Sequence, residues 1–403
     1  MTSLERRREV RYQRRKAKRE EKKKKHYASY DNYKNIYSYS SLFYANKISL
    51  RNVSWKTSVQ RYQMNLLRNI SETHNKLIRN EDITKGFVEF DLMERGRLRH
   101  IRSVHYSERV VQRSACDNAL VPMLQRSLIY DNGACLKGKG VDRSLNRLKA
   151  HLQQFYRANN FSNEGYIAIF DFSSYFDNIL HEKCFQTFDS VFTDENIVTL
   201  LHSFVTPFGY PLATVNWKRS LNKHSPDAYT GKSLGLGSQV SQITAVSYPN
   251  SLDHYIKQVL RVRWYGRYMD DGYMIFKTKE EAKLAIAAVI EYSKSLGIVI
   301  NQKKTKLCKL GAGFKFLKTR NVLTSTGKVI RRMCPDSITR QRRKLKKFKA
   351  MLDRGVMSLK DISCSYGSWK GYALHRGGYM SVKNMDMLFE RLFGIPAPQC
   401  KLQ

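Results

Sequence analysis

No run of the sequence approaches the roughly 20 consecutive apolar residues that a helix needs to span a bilayer. The N-terminus is charged where a secretory signal would be apolar, so neither export nor a membrane is expected and the chain reads as cytoplasmic. The seven cysteines are odd in number, scattered, and nowhere arranged as Cys-x-x-Cys. That excludes a disulfide framework and argues against a zinc site. Acidic residues are scarce as well: against 72 Lys and Arg stand 34 Asp and Glu, a formal charge of +38. Such a charge opposes compaction unless a polyanion is the usual partner, and RNA or DNA is the obvious one. No internal repeat divides the 403 residues, a length that suits two or three subdomains sharing a core.

What is present falls into an ordered series of patterns. Residues 5–25 are almost wholly charged and cannot bury a core of their own, so a solvated helix or a disordered arm is expected there. The tyrosine-rich residues 26–44 suit either stacking on bases or packing of a linker on the main body. Helical periodicity follows over residues 55–80 and 108–128, with strand-like pieces at 86–92 and 98–106 between them. Residues 165–172 form a compact apolar run ending in a carboxylate, and residues 267–276 read as two short strands around a two-residue turn. Beyond Lys328, Ile338, Leu345, Phe348 and Leu352 share one face of a basic helix that Gly355 ends, and two further helical pieces follow.

The candidate chemistry lies where the apolar runs end. Asp171 closes one such run and would emerge at the rim of a sheet, while Asp270 and Asp271 sit at a hairpin tip. Magnesium is a hard cation that prefers oxygen ligands and keeps several waters, so two or three aspartates can hold a pair of ions when substrate phosphates complete the shell. Two such ions stabilise the attacking and leaving oxygens of an in-line phosphoryl transfer. Because neighbouring strand residues face opposite sides, Asp270 is weighted above Asp271 as the partner of Asp171. Asp271-Gly272 alone would also serve as an ordinary hairpin turn.

In order along the chain stand DFSSYFD from Asp171, LGSQVSQ from Leu236 and YMDD from Tyr268. With that order and spacing, residues 97–317 resemble the reverse-transcriptase family. The resemblance implies an α+β, right-hand polymerase: a basic, partly disordered RNA-binding arm over residues 1–50, fingers and an antiparallel palm sheet backed by helices over 51–327, and a basic helical thumb over 328–403. It implies an RNA-directed DNA polymerase that uses two Mg2+ ions, with Mn2+ as the alternative, held by Asp171, Asp270 and Asp271.

Carried onto this sequence, the resemblance makes Phe176 the steric gate that rejects a ribose 2′-hydroxyl. It places Arg97 and Arg99 on the incoming triphosphate, where guanidinium groups make paired bonds, and leaves Arg102 free to point elsewhere. Gly237, Ser241 and Gln242 join the nucleotide site. Lys304, with Lys303 as its competitor, lies near the pyrophosphate leaving group. Residues 313–318 resemble the hairpin that grips the primer end, and Arg342, Arg343, Lys346 and Lys347 would take nucleic-acid phosphates. Trp369 and Tyr366 serve either the duplex side of the thumb or its packing.

Leu236 before Gly237 and Gln242 after Ser241 depart from the usual Gln-Gly-x-x-x-Ser-Pro toward the enzymes of diversity-generating retroelements. The Ser-Trp-x-Gly string at Ser368, Trp369, Lys370 and Gly371 points the same way. Antiphage-defence reverse transcriptases are the runner-up, and a catalytically silent nucleic-acid-binding relative is the alternative of another class. No ribonuclease H, integrase or HNH nuclease is evident, so the expected partners are an RNA template, a primer, deoxynucleotides, a structured non-coding RNA and a small accessory protein.

Overall fold

The computed structural model describes residues 2–94, 97–210 and 229–399, apart from the side chains of residues 94 and 97. The charged N-terminal stretch is a helix, α1 (Ser3–Tyr30), started by a capping box in which Thr2 and Glu5 satisfy each other's backbone N–H groups. None of its residues is buried. Within the expected arm of residues 1–50, the wholly unburied helix ends at Tyr30 and buried residues begin beyond it. In α2 (Lys34–Tyr37) and α3 (Tyr39–Ser49), Ile36, Leu42 and Ala45 are buried, and the Tyr33 hydroxyl donates to the Leu77 carbonyl at 3.0 Å. Tyrosines that looked able to stack on bases therefore partly anchor this segment. Two helices, α4 (Thr57–Met64) and α5 (Leu66–Ile78), bury Val59, Ile70 and Leu77. An antiparallel ribbon follows, β1 (Phe87–Glu94) with β2 (Arg97–Val104), and then α6 (Tyr106–Ala115), which continues through a π-helical turn at Cys116–Leu120 into α7 (Val121–Gln125).

Next come α8 (Val141–Ala158), β3 (Tyr166–Asp171), α9 (Tyr175–Asn178), α10 (His181–Val191) and α11 (Glu195–Val205). After residues 211–228, outside the described residues, the chain forms α12 (Gln239–Ser247), α13 (Asn250–His254), β4 (Tyr265–Tyr268), β5 (Asp271–Phe276) and α14 (Lys279–Ser295). The remainder is β6 (Lys306–Lys309), β7 (Phe314–Phe316), β8 (Thr319–Leu323), β9 (Val329–Met333), α15 (Pro335–Asp353), α16 (Leu359–His375) and α17 (Tyr379–Phe393). The strands pair antiparallel throughout, as expected for the α+β class. Two compact units result. One takes Met1–Gly140, Phe172–Val259 and Ala288–Ile300; the other takes Val141–Asp171, Leu260–Ala287 and Asn301–Gln403.

The second unit is built on a four-stranded sheet in the order β4-β5-β3-β6. β3 is buried on both faces, which explains its continuous apolar run. Ile167 and Ile169, with Tyr273 and Ile275 of β5, pack against Leu148, Leu152 and Phe155 of α8 and against Phe314 and Phe316 of the three-stranded sheet β7-β8-β9. That smaller sheet runs past residue 328, so the helices begin only at Pro335. Their own cluster joins Leu345, Ile362, Tyr366, Met385 and Phe389. Trp369 packs beside it, and the Tyr366 hydroxyl bonds Asp386 at 2.6 Å, so both aromatics are packing anchors. Gly355, at φ 71°, stops α15 where its sequence suggested.

Two glycines set how closely the central strands approach. Gly272 is the register partner of Phe170, and Gly266 that of Tyr273. A Cβ on Gly272 would lie 2.2 Å from the Phe170 ring, and one on Gly266 would lie 2.7 Å from the Tyr273 hydroxyl oxygen. Gly272 thus makes room for an aromatic ring across the sheet rather than forming a turn. Gly272→Ala is expected to lower stability by roughly 1–3 kcal/mol through overpacking, measured by urea denaturation, with Phe170→Leu in the same chain restoring part of the loss. Unchanged stability in the single variant would show that the Phe170 ring can yield.

Candidate active site

The open end of the four-stranded sheet gathers the carboxylates. β3 ends at Asp171 and β5 begins at Asp271, and these two are register partners. Residues directly opposed across an antiparallel pair carry their side chains on one face, with Cβ atoms about 4.5–5.5 Å apart. Met269 and Asp270 form the two-residue turn between β4 and β5. The weighting of Asp270 above Asp271 as the residue opposite Asp171 is therefore corrected. Asp271 opposes Asp171 through the register, and Asp270, on the turn, is near enough to feel the charge of Asp171.

The turn is strained and held. Met269 sits at φ 53°, a left-handed backbone uncommon for a residue with a Cβ. Its carbonyl accepts a 2.8 Å bond from Nη1 of Arg267, whose side chain is only 1 % exposed. Sequence reasoning passed over Arg267; the signal was a lone cation inside an otherwise uncharged strand. A buried guanidinium has to be bonded, and here the carbonyl at the tip of the aspartate hairpin accepts one of those bonds.

Lys304 approaches from the other side. The Asp171 carbonyl accepts the Asn301 N–H at 2.8 Å, and Asn301 in turn accepts the N–H groups of Lys304 and Thr305. The Asn-x-x-Lys-Thr string folds as a turn pinned to the end of β3, and Lys304 Nζ forms an ion pair with Asp171 Oδ2. Between the two candidate lysines, it is Lys304 that meets the carboxylates. Asp171, Asp270, Asp271 and Lys304 all belong to one unit.

Burial raises the pKa of Asp270 to about 6, helped by the neighbouring charge of Asp171. Burial likewise raises that of Asp271 to about 7, with the charges of Asp270 and Asp171 adding to it and those of Lys304 and Lys318 opposing it. Among the described residues, no three His, Cys, Asp or Glu side chains are gathered closely enough to hold a metal ion by themselves. The donors at the sheet end are all carboxylate oxygens, crowded enough to retain protons. That fits hard divalent cations that keep waters and take further ligands from substrate, and it does not fit a structural zinc.

Phe176, Arg99, Gly237, Ser241 and Gln242 lie in the other unit, and the cations of α15 lie in the same unit as the carboxylates. Phe176 is half-buried in α9, while its neighbour Tyr175 is the core aromatic. Arg99 is exposed on β2, and the side chain of Arg97 lies outside the described residues. Arg102 is structural: it donates to the carbonyls of Tyr210 at 2.8 Å and Phe208 at 3.2 Å. Gly237 is exposed at φ 116°. Ser238 caps α12 by accepting the Ser241 N–H at 3.2 Å and is tied to Gln112 at 3.0 Å. Ser241 itself is fully enclosed, whereas Gln242 is exposed. In α15, Arg342, Arg343, Lys346 and Lys347 are all exposed.

Three carboxylates and an ammonium thus stand together at one end of an antiparallel sheet. Residues 113–343, more than half of the chain, match the reverse transcriptase (RNA-dependent DNA polymerase) family, and the chain belongs to that family. No curated protein matches it. Among solved structures it is similar to telomerase from Candida albicans in complex with a TWJ fragment of telomeric RNA, at 11% identity and a TM-score of 0.46, covering 78% of this chain and 59% of that one. Apo telomerase from Candida tropicalis gives 13% identity and a TM-score of 0.45, covering 77% and 59%. The same telomerase truncated from its C-terminal domain gives 14% identity and 0.42, covering 60% and 54%. The chain thus spans little more than half the length of these structures. Likeness so distant bears on neither activity nor partners. No helix among the described residues is long and apolar enough to cross a membrane.

The raised carboxyls link pH to stability. Both folded values lie above the ordinary 3.8, so without metal the folded state binds more protons than the unfolded chain between roughly pH 4 and 7, and stability falls as pH rises through that window. The expected result is a metal-free melting temperature that declines with pH over this range, and a flatter profile in Asp270→Asn/Asp271→Asn. Equal slopes in the two proteins would mean that these carboxyls are not held protonated.

Proposed function

We propose that the chain is an RNA-directed DNA polymerase, adding deoxynucleotides to a primer by two-metal phosphoryl transfer. The observation that carries this is the opposition of Asp171 and Asp271 across β3 and β5, with Asp270 on the intervening turn, in a member of the reverse-transcriptase family. On this reading the four-stranded sheet is the palm of a right-hand polymerase, the β1-β2 ribbon belongs to the fingers and α15–α17 are the thumb. Asp171, Asp270 and Asp271 would hold two Mg2+ or Mn2+ ions. When bound, the ions stabilise charge on the attacking 3′-oxygen and the leaving phosphate oxygens.

The chain's own residues do the rest. The Arg267 bond to the Met269 carbonyl keeps the aspartate turn in one geometry, so no reorganisation is required when charge develops. Lys304 keeps an ammonium at the carboxylates, in position to neutralise or protonate the pyrophosphate leaving group. Phe176 acts as the sugar gate. Arg97 and Arg99 grip the triphosphate, and Gly237 and Gln242 border the nucleotide while Ser241 shapes the helix beneath them. The exposed cations of α15, among them Arg342, Arg343, Lys346 and Lys347, take template–primer phosphates.

We assign the enzyme to a diversity-generating retroelement on the LGSQVSQ and Ser-Trp-x-Gly strings, with an antiphage-defence enzyme as the second assignment. Both would work in the cytoplasm with a structured non-coding RNA, and the first with a small accessory protein. The charge of +38 favours a large polyanionic partner in either case.

The test is extension of an annealed DNA primer on an RNA template with magnesium, beside a control without template. Asp270→Asn is expected to abolish the product and leave RNA affinity nearly unchanged; full activity in that variant would overturn the assignment. Product that forms without template would make the enzyme a template-independent polymerase instead. A second expectation concerns the sugar: Phe176→Ala should admit ribonucleotides, and unchanged selectivity would place the gate elsewhere.

A further inference from the structure

Helix α1 has no buried residue along its 28 residues, so it owes its place to no apolar face of its own. Its two sides differ in charge. At 100° per residue, Glu9, Gln13, Ala17, Glu20 and Glu21 fall on one side together with Arg6 and Lys24, so that acids and cations balance there. On the other, Arg8, Arg11, Tyr12, Arg15, Lys16 and Arg19 wall a shallow open trough. The helix settles its acids locally: Glu5 accepts the Thr2 N–H at 2.7 Å, Glu9 accepts from Gln13 at 2.6 Å, and Glu21 pairs with Lys25 at 2.7 Å. The base of the helix is fastened to its unit. His26 Nε2 meets the Pro122 carbonyl at 3.1 Å, and Asp31 accepts the Thr193 N–H at 2.8 Å.

Five cations in line over Arg8 to Arg19 span about 16 Å at 1.5 Å per residue. They repel one another, and a polyanion is the partner that removes the repulsion. A nucleic-acid strand presents a phosphate about every 3.4 Å of helix axis, or about five along this trough. The exposed Tyr12 ring adds a face on which an unpaired base can stack.

We propose that the trough of α1 is a docking site for a stem–loop of the enzyme's own RNA, distinct from the site that holds template and primer. The proposal rests on the polymerase reading above for its choice of RNA. The backbone of the stem lies along the cations, and an unpaired base near the loop meets Tyr12.

The test compares two double variants of the full chain that lose the same charge. Arg11→Gln/Arg15→Gln empties the trough; Arg6→Gln/Lys24→Gln changes the opposite side. Binding to an RNA stem–loop and to a fully paired DNA duplex is followed by fluorescence anisotropy over a series of salt concentrations, and extension of a short primer–template is measured alongside. The trough variant is expected to bind the stem–loop on the order of tenfold more weakly, with a salt slope smaller by about 1.5, while the opposite-side variant changes little. Both should extend the short primer–template at the unmodified rate.

Equal losses in the two variants would reduce the effect to net charge and overturn the proposal. So would DNA-duplex binding that is as tight and as dependent on the trough, or loss of short primer extension in the trough variant. An unmodified protein that binds the stem–loop through this face yet extends no primer would overturn the polymerase reading and leave the docking site standing.

Discussion

Asp171 and Asp271 face each other across a strand pair, where two ionised carboxylates repel, and the second unit is organised around keeping them there. Register alone does not secure it. Phe170 and Tyr273 each lie over a glycine on the neighbouring strand, so the sheet closes tightly just behind the aspartates and leaves a slip of one residue nowhere to put its rings. Arg267 pins the turn and Lys304 offsets the charge. The remaining excess is absorbed by protonation, visible in the upward pKa shifts of Asp270 and Asp271.

Much of this layout could be read from the residues. Periodicity located β3, the β4-β5 hairpin and the basic helix α15, because a strand buried on both faces, a strand pair around a short turn and an amphipathic helix leave distinct patterns. The carboxylates were legible because charges seldom end apolar runs without reason. What escaped depended on contacts made at long range. Gly272 looks like a turn residue until Phe170 is known to lie opposite it. The identity of the residue facing Asp171 followed from a register that no local pattern carries.

The N-terminal segment depended on contacts of the same kind. Of the two readings of tyrosines spaced by small polar residues, packing on the main body is the one that Tyr33 and Ile36 take, buried by partners that lie far along the chain. Arg102 and Ser241 show the same limit from the opposite side. Each belongs to a motif that the family resemblance puts at the nucleotide, but Arg102, expected to point elsewhere, is spent on the carbonyls of Phe208 and Tyr210, and Ser241 is enclosed within its helix. In so basic a chain, the type of a side chain says less than what it is bonded to.

The three segments that make the carboxylate cluster are far apart in the chain, with Lys304 lying 133 residues beyond Asp171. The β4-β5 hairpin is local and can form early, but bringing β3 against β5 closes a loop of about 100 residues, at an entropic cost of about 4 kcal/mol that local structure does not offset. The last of these segments to leave a ribosome is the one that carries Lys304. During synthesis, therefore, the aspartate hairpin exists before the lysine that offsets its charge, and the carboxylate cluster becomes whole only once Lys304 has been made.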